Sequence, residues 1–214
     1  MSTPLIVVGA GGFGRETLDV VEAINRSVSE PTFDLLGVVD ANPSPRNLAR
    51  LAARGIRYLG TEGEWLIAGV CAEYLVGIGN PAVRQRVDAA FTSAGLTAAT
   101  AVHPAATVGS AVTIGEGSIV CVGVQVSTNV SVGRHVHLNA NTTIGHDANL
   151  NDYVSVNPSA TISGEVAVGT GALIGAGAVV LQGITIGAGA LVGASSCVVR
   201  DVADGTTVMG VPAR

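Results

Sequence analysis

The side chains able to do chemistry in this 214-residue chain are few, and their spacing sorts them. Four histidines, His103, His135, His137 and His146, are the candidates for proton transfer near neutral pH. His103 precedes Pro104 where two kinds of sequence meet, and reads as structural or exposed. His135 and His137 stand two apart in Val132-Gly133-Arg134-His135-Val136-His137; two ligands make no metal site, so both read as solvated. His146 is followed directly by Asp147. The three cysteines, Cys71, Cys121 and Cys197, are far apart and odd in number. They fit neither a disulfide framework nor a zinc spacing, which suits a reducing cytoplasm. None is placed beside a histidine to serve as a nucleophile. Near the start, Gly9-Ala10-Gly11-Gly12-Phe13-Gly14 matches the Gly-x-Gly-x-x-Gly fingerprint, in which glycines let backbone approach a phosphate at a helix N-terminus. The same glycines would also make a tight turn with no ligand.

The elements that must position these groups fall into two kinds. Up to about residue 100, short apolar runs alternate with helical stretches. Strands are expected at Leu5–Val8, Leu35–Val39 and Tyr74–Ile78, with helices starting at Arg15, running through Asn47–Arg54, and following Pro81 with Arg84 and Arg86. This is a β-α-β-α-β pattern and implies a small parallel sheet. No basic segment precedes the first apolar run, so it reads as a strand and not a signal peptide. With no room for the second half of a dinucleotide sheet, a mononucleotide suits the size. Asp40, at the end of the second strand, is placed either to accept from ribose or base groups or to serve as a turn residue before Asn42-Pro43; Gly79-Asn80 line the end of the third strand.

From residue 101 a different rule takes over. Every sixth residue from Val102 to Val198 is Val, Ile or Leu, the fifth residue of each hexad is small or β-branched, and Gly commonly follows the aliphatic, as at Gly109, Gly145 and Gly175. A period of six fits neither an α-helix nor a hairpin sheet. It fits a triangular solenoid in which each hexad makes one flat face and one corner, with the aliphatic pointing into the prism and Gly expected to permit the corner. The span between Glu165 and Arg200 has no charge and is long enough to cross a bilayer, but its six-residue beat and its glycines point to the prism, so no membrane insertion is expected.

Composition agrees with such a core. Aromatics are only 3% of residues while 48% are hydrophobic and 29 are glycine, so the interior must be Val, Ile, Leu and Ala. A formal charge of −5 with no Lys/Arg block argues against a nucleic-acid partner.

The hexads resemble those of the hexapeptide-repeat transferases. With Gly-Ala-Gly-Gly-x-Gly-Arg-Glu at the start and Gly77-Ile78-Gly79-Asn80 in the third turn, the chain resembles the bacterial group that includes sialic acid O-acetyltransferase and the N-acetyltransferases of nucleotide-linked 4-amino-4,6-dideoxy sugars. The resemblance implies a left-handed parallel β-helix over 101–214 that binds acetyl-CoA, and a nucleotide-sugar-binding α/β domain over 1–100. It also implies a homotrimer with sites between subunits. It makes His146 the general base and Asp147 the residue that orients it. Substrate contacts would fall on Gly12, Phe13, Gly14, Asp40, Gly79 and Asn80, and acetyl-CoA contacts on Ser155, Gly164, Ala176, Ala194 and Arg200, with no metal required. Phe13 and Ser155 stand where many relatives have histidine. The implied activity is acetyl transfer to a sugar amine; transfer to a sugar hydroxyl, a nicotinamide-dependent oxidoreductase using the first glycines, and a scaffold without chemistry are the alternatives.

Overall fold

The structure is a computed structural model that describes residues 2–214. The chain divides into two compact units at Pro104/Ala105. In the first, β1 (Thr3–Val8), β2 (Phe33–Val39) and β3 (Glu73–Val76) form a parallel sheet in the order β2-β1-β3. Four helices accompany it: α1 (Gly12–Arg26), α2 (Pro45–Ala53), α3 (Glu62–Ala68) and α4 (Pro81–Ser93). The strands are near-continuous aliphatic runs because a parallel sheet is covered on both faces, and Leu5 to Val8 are fully buried. Trp65, Tyr74 and Phe91 supply the bulk of one side of this core, with the Tyr74 and Phe91 rings 4.9 Å apart. The sequence gives no expectation for α3, although Thr61 and Glu64 form a reciprocal capping box at its start.

The second unit is the left-handed β-solenoid, built from two-residue strands on three faces. Each strand pairs in parallel with the one a full coil later, so His137 pairs with Ser155, Thr143 with Thr161 and Asn149 with Ala167. Side chains on neighbouring coils therefore stack at a separation of 18 residues. The aliphatic of each hexad points inward, and Leu138, Ile144, Leu150, Val156 and Ile162 are wholly buried. Burying side chains of this kind contributes roughly 1.5–3 kcal/mol each, repeated coil after coil. Among the described residues no helix is long and apolar enough to cross a membrane, and the charge-free stretch is a run of these short strands.

Three details depart from the expectations. The glycine after the aliphatic is not the corner residue. The left-handed backbone falls two places later, at Asn129, His135, Asn141, Asp147, Tyr153, Ser159 and Glu165 among others. Glycine is needed after the aliphatic because the coils touch there: a Cβ on Gly145 would lie 2.5 Å from the backbone of Ser163 and Gly164. Next, His135 and His137 are buried, not solvated. The His135 ring stacks on Tyr153 one coil on, and occupies the space that a Cβ on Gly117 would need. Finally, the beat shortens after Val198. Val202, only four residues on, bridges Ile186 in the aliphatic position, and Thr207 pairs with Leu191.

Candidate active site

The corner of the solenoid that follows Ile144 carries His146 and Asp147. Asp147 has a left-handed φ of 60°. This turns its side chain back to its neighbour, and one carboxylate oxygen lies 2.7 Å from His146 Nδ1. The other oxygen accepts from Asn129 Nδ2 of the preceding coil at 2.5 Å. The hydrogen bond from Asn129, then that from His146, hold the Asp147 carboxyl below the usual carboxylate range. An ionised carboxylate can only accept, so Nδ1 carries the proton and Nε2 is left with the lone pair. The pair is half exposed, at 49% and 43% of the side-chain surface. One coil on, Gly164 lies against the imidazole: a Cβ there would stand 2.6 Å from Cε1 and Nε2. The His146 carbonyl accepts from Glu165 N at 2.8 Å, which ties the two coils together.

The cofactor residues implied by resemblance are placed unevenly. Ala176, Ala194 and Arg200 are exposed, while Gly164 is buried. Gly164 thus lies against the histidine ring from the following coil and presents no open backbone. Ser155 is 1% exposed, on a face of the solenoid where Ile119 and His137 are also buried. Among the described residues no three His, Cys, Asp or Glu side chains gather in a metal-binding group.

In the first unit, Gly9, Gly11, Gly12, Phe13, Asp40, Gly77, Ile78 and Gly79 line one hollow at the carboxyl ends of the strands. The glycines there divide by cause. Gly14 is buried, and its Cβ would meet Gly9 O at 1.8 Å, so the close approach of α1 to the sheet requires it. Gly11, Gly12 and Gly79 have nothing within 4 Å of a Cβ and no left-handed φ. Neither packing nor strain explains glycine at these three positions, and each faces open space. Asp40 is the turn residue: its carboxylate accepts from Ala10 N at 2.7 Å and Asn42 N at 2.8 Å. Asn80 caps α4 by accepting from Val83 N. Two arginines, to which the sequence assigns no role at the hollow, fix its loops. Arg15 donates to Ala10 O at 2.8 Å, and the fully buried Arg84 donates to Ile78 O at 2.8 Å and more weakly to Gly79 O. Asn129 was likewise without signal in a linear reading; it becomes visible only when corners one coil apart are set side by side.

Residues 4–90 match the PglD N-terminal domain family. The GDP-perosamine N-acetyltransferase of Escherichia coli is 35% identical over 134 residues, which is 62% of this chain. The match spans 58% of that relative's length. Among solved structures, a mutant perosamine N-acetyltransferase from Caulobacter crescentus, in complex with CoA and GDP-perosamine, superposes with a TM-score of 0.88 at 28% identity, over 99% of this chain and 95% of its own. The acetyltransferase domain of PglB from Neisseria gonorrhoeae gives 0.86 at 28% identity, over 100% and 99%. The first unit carries the PglD N-terminal domain, and over nearly its whole length the chain is similar in fold and sequence to the perosamine N-acetyltransferase and the PglB acetyltransferase domain.

Proposed function

We propose that this protein transfers acetyl from acetyl-CoA to the amino group of a nucleotide-linked 4-amino-4,6-dideoxy sugar, with His146 as general base. The observation that carries this is the His146–Asp147 pair: an exposed imidazole whose Nδ1 is tied to a carboxylate at 2.7 Å, which leaves Nε2 basic. Relatives bound to CoA and GDP-perosamine supply the substrate classes.

The chemistry is direct. The amine nitrogen attacks the thioester carbonyl and the C–N bond forms. His146 Nε2 takes the proton that the nitrogen loses, and Asp147 stabilises the imidazolium. The C–S bond then breaks, and the proton passes to the departing thiolate to give free CoA. General-base assistance of this kind contributes about 10²–10⁴ in rate. In the first unit, the open backbone at Gly11, Gly12 and Gly79 receives the nucleotide diphosphate, beside the N-terminus of α1. Phe13 lies at the same mouth, Gly14 lets α1 approach, and Asp40 and Asn80 hold the two loops in shape. On the solenoid, Ala176 and Ala194 offer small exposed corners to the pantetheine arm, and Arg200 offers a cation to a CoA phosphate. Ser155 joins them only in a conformation that uncovers it. Gly164 acts through the histidine it supports. Function as a cytoplasmic homotrimer with sites between subunits belongs to the same proposal.

Thiol release from acetyl-CoA, measured against a panel of nucleotide-linked 4-amino sugars, tests it. Turnover that falls by about 10²–10⁴ in His146→Ala is expected. Turnover on hydroxyl sugars alone would reassign the acceptor, and full activity in His146→Ala would remove the base.

A further inference from the structure

We propose that Asn129 is a positioning residue for the general base, acting through Asp147. The inference rests on the acetyl-transfer reading above. Asn129 and Asp147 occupy the same corner in consecutive coils, with φ of 58° and 60°. Asn129 Nδ2 donates to Asp147 Oδ1 at 2.5 Å, while Asp147 Oδ2 faces His146 Nδ1 at 2.7 Å. Each carboxylate oxygen therefore has its own partner, and the carboxylate cannot rotate without breaking one of the two contacts. The backbone reinforces the geometry, since Asp147 N donates to Thr128 O at 3.1 Å. One flank of the histidine lies against Gly164 and its Nδ1 is bound through Asp147, so the orientation of the ring depends on the amide one coil below.

The competing explanation is that Asn stands at 129 only because it tolerates left-handed backbone. Equivalent corners carry Ala111, Tyr153 and Glu165 at φ of 54–60°, so the backbone alone does not call for Asn. Chemistry does distinguish it. A neutral amide donor fixes the carboxylate and draws on only part of its charge, where a Lys or Arg would neutralise it.

The test compares Asn129→Gly, which keeps the left-handed backbone and removes the donor, with Asn129→Asp, which keeps shape but sets a like charge against Asp147. Ala111→Gly, on the same corner and outside the machinery, controls for added backbone freedom. On the same corner, Glu165, hydrogen-bonded to Gln182, and Arg200 keep their charges in every variant. In Asn129→Gly kcat should fall about tenfold, in line with loss of one hydrogen bond to a charged group, with KM for acetyl-CoA unchanged. Freed from Asn129, the Asp147 charge pulls harder on the imidazolium. The acid-side limb of the kcat/KM profile should therefore move to higher pH, and further in Asn129→Asp. The His146 Cε1–H signal, titrated by NMR in the resting protein, should move in the same direction. That readout needs no turnover, so an absent acetyltransferase activity and an idle Asn129 are told apart. An unmoved limb and titration in both variants would overturn the proposal, and so would an Ala111→Gly loss equal to that of Asn129→Gly.

Discussion

At the scale of the residue, the site depends on what surrounds one imidazole. Gly164 matters because the ring of His146 occupies the space of its missing side chain, with a Cβ falling 2.6 Å from two ring atoms. Gly164→Ala must push the ring off Nδ1–Asp147 alignment. Misplacement of a reacting group by about 1 Å costs about 10² in rate, so kcat is predicted to fall by that order while the melting temperature, followed by circular dichroism, moves little. Asp147→Asn tests the tautomer. Its amide can donate to Nδ1 and so draw the proton to Nε2, which removes the base; a loss within about 10²–10⁴ in kcat is predicted, with substrate binding retained by calorimetry. Because the Asp147 carboxyl is held below its usual range, it stays ionised as pH falls and remains charged until below the ordinary carboxylate range. The acid-side loss of activity should therefore follow one proton, taken up by His146, and a slope of two protons in the kcat/KM profile would contradict this. His146 and Asp147 could be singled out from type and adjacency. The supporting Gly164 and Asn129 could not, since each acts across 18 residues and neither carries a chemical signal of its own.

At the scale of the element, the repeat is legible because one physical event, an aliphatic entering the prism, recurs at a fixed interval. Leu150 is wholly buried between Val132 and Val168 of adjacent coils. Leu150→Ala should destabilise the solenoid by about 2–5 kcal/mol, measured by urea unfolding, because neighbouring coils can close the cavity only in part. The corners are less legible. Their left-handed residues include Ala, Asn, His, Asp, Tyr, Ser and Glu as well as Gly, so residue type hides the conformation. The glycines that do stand out respond to coil-to-coil contact instead. The beat ends early for a related reason: two residues fewer between Val198 and Val208 let Val202 take over the inward position, which a rigid count of six assigns elsewhere. In the first unit, strands and the first helix are readable from apolar runs and the Gly-rich turn. Helix α3 is short, and the capping box that marks its start at Thr61 and Glu64 is its clearest local signal.

At the scale of the whole molecule, the proposed function divides the work between two units, each of which can be perturbed alone. Gly12 and Gly79 face open space, so a larger side chain there leaves folding intact and blocks the approach of a ligand to backbone. Gly79→Leu should raise KM for the nucleotide-linked sugar about tenfold or more, the equivalent of about 1.4 kcal/mol, while KM for acetyl-CoA stays unchanged. Equal effects on both substrates would break the division of labour. The central claim is that acetyl moves from acetyl-CoA to a sugar amine with His146 taking the proton. Its most direct test follows CoA release and the mass of the sugar product with GDP-perosamine, in the unaltered protein and in His146→Ala, after calorimetry has established that both bind both substrates. The account predicts an N-acetylated product from the unaltered protein and turnover lower by about 10²–10⁴ in the variant. Equal turnover by the two proteins, or a product acetylated on oxygen, would contradict it.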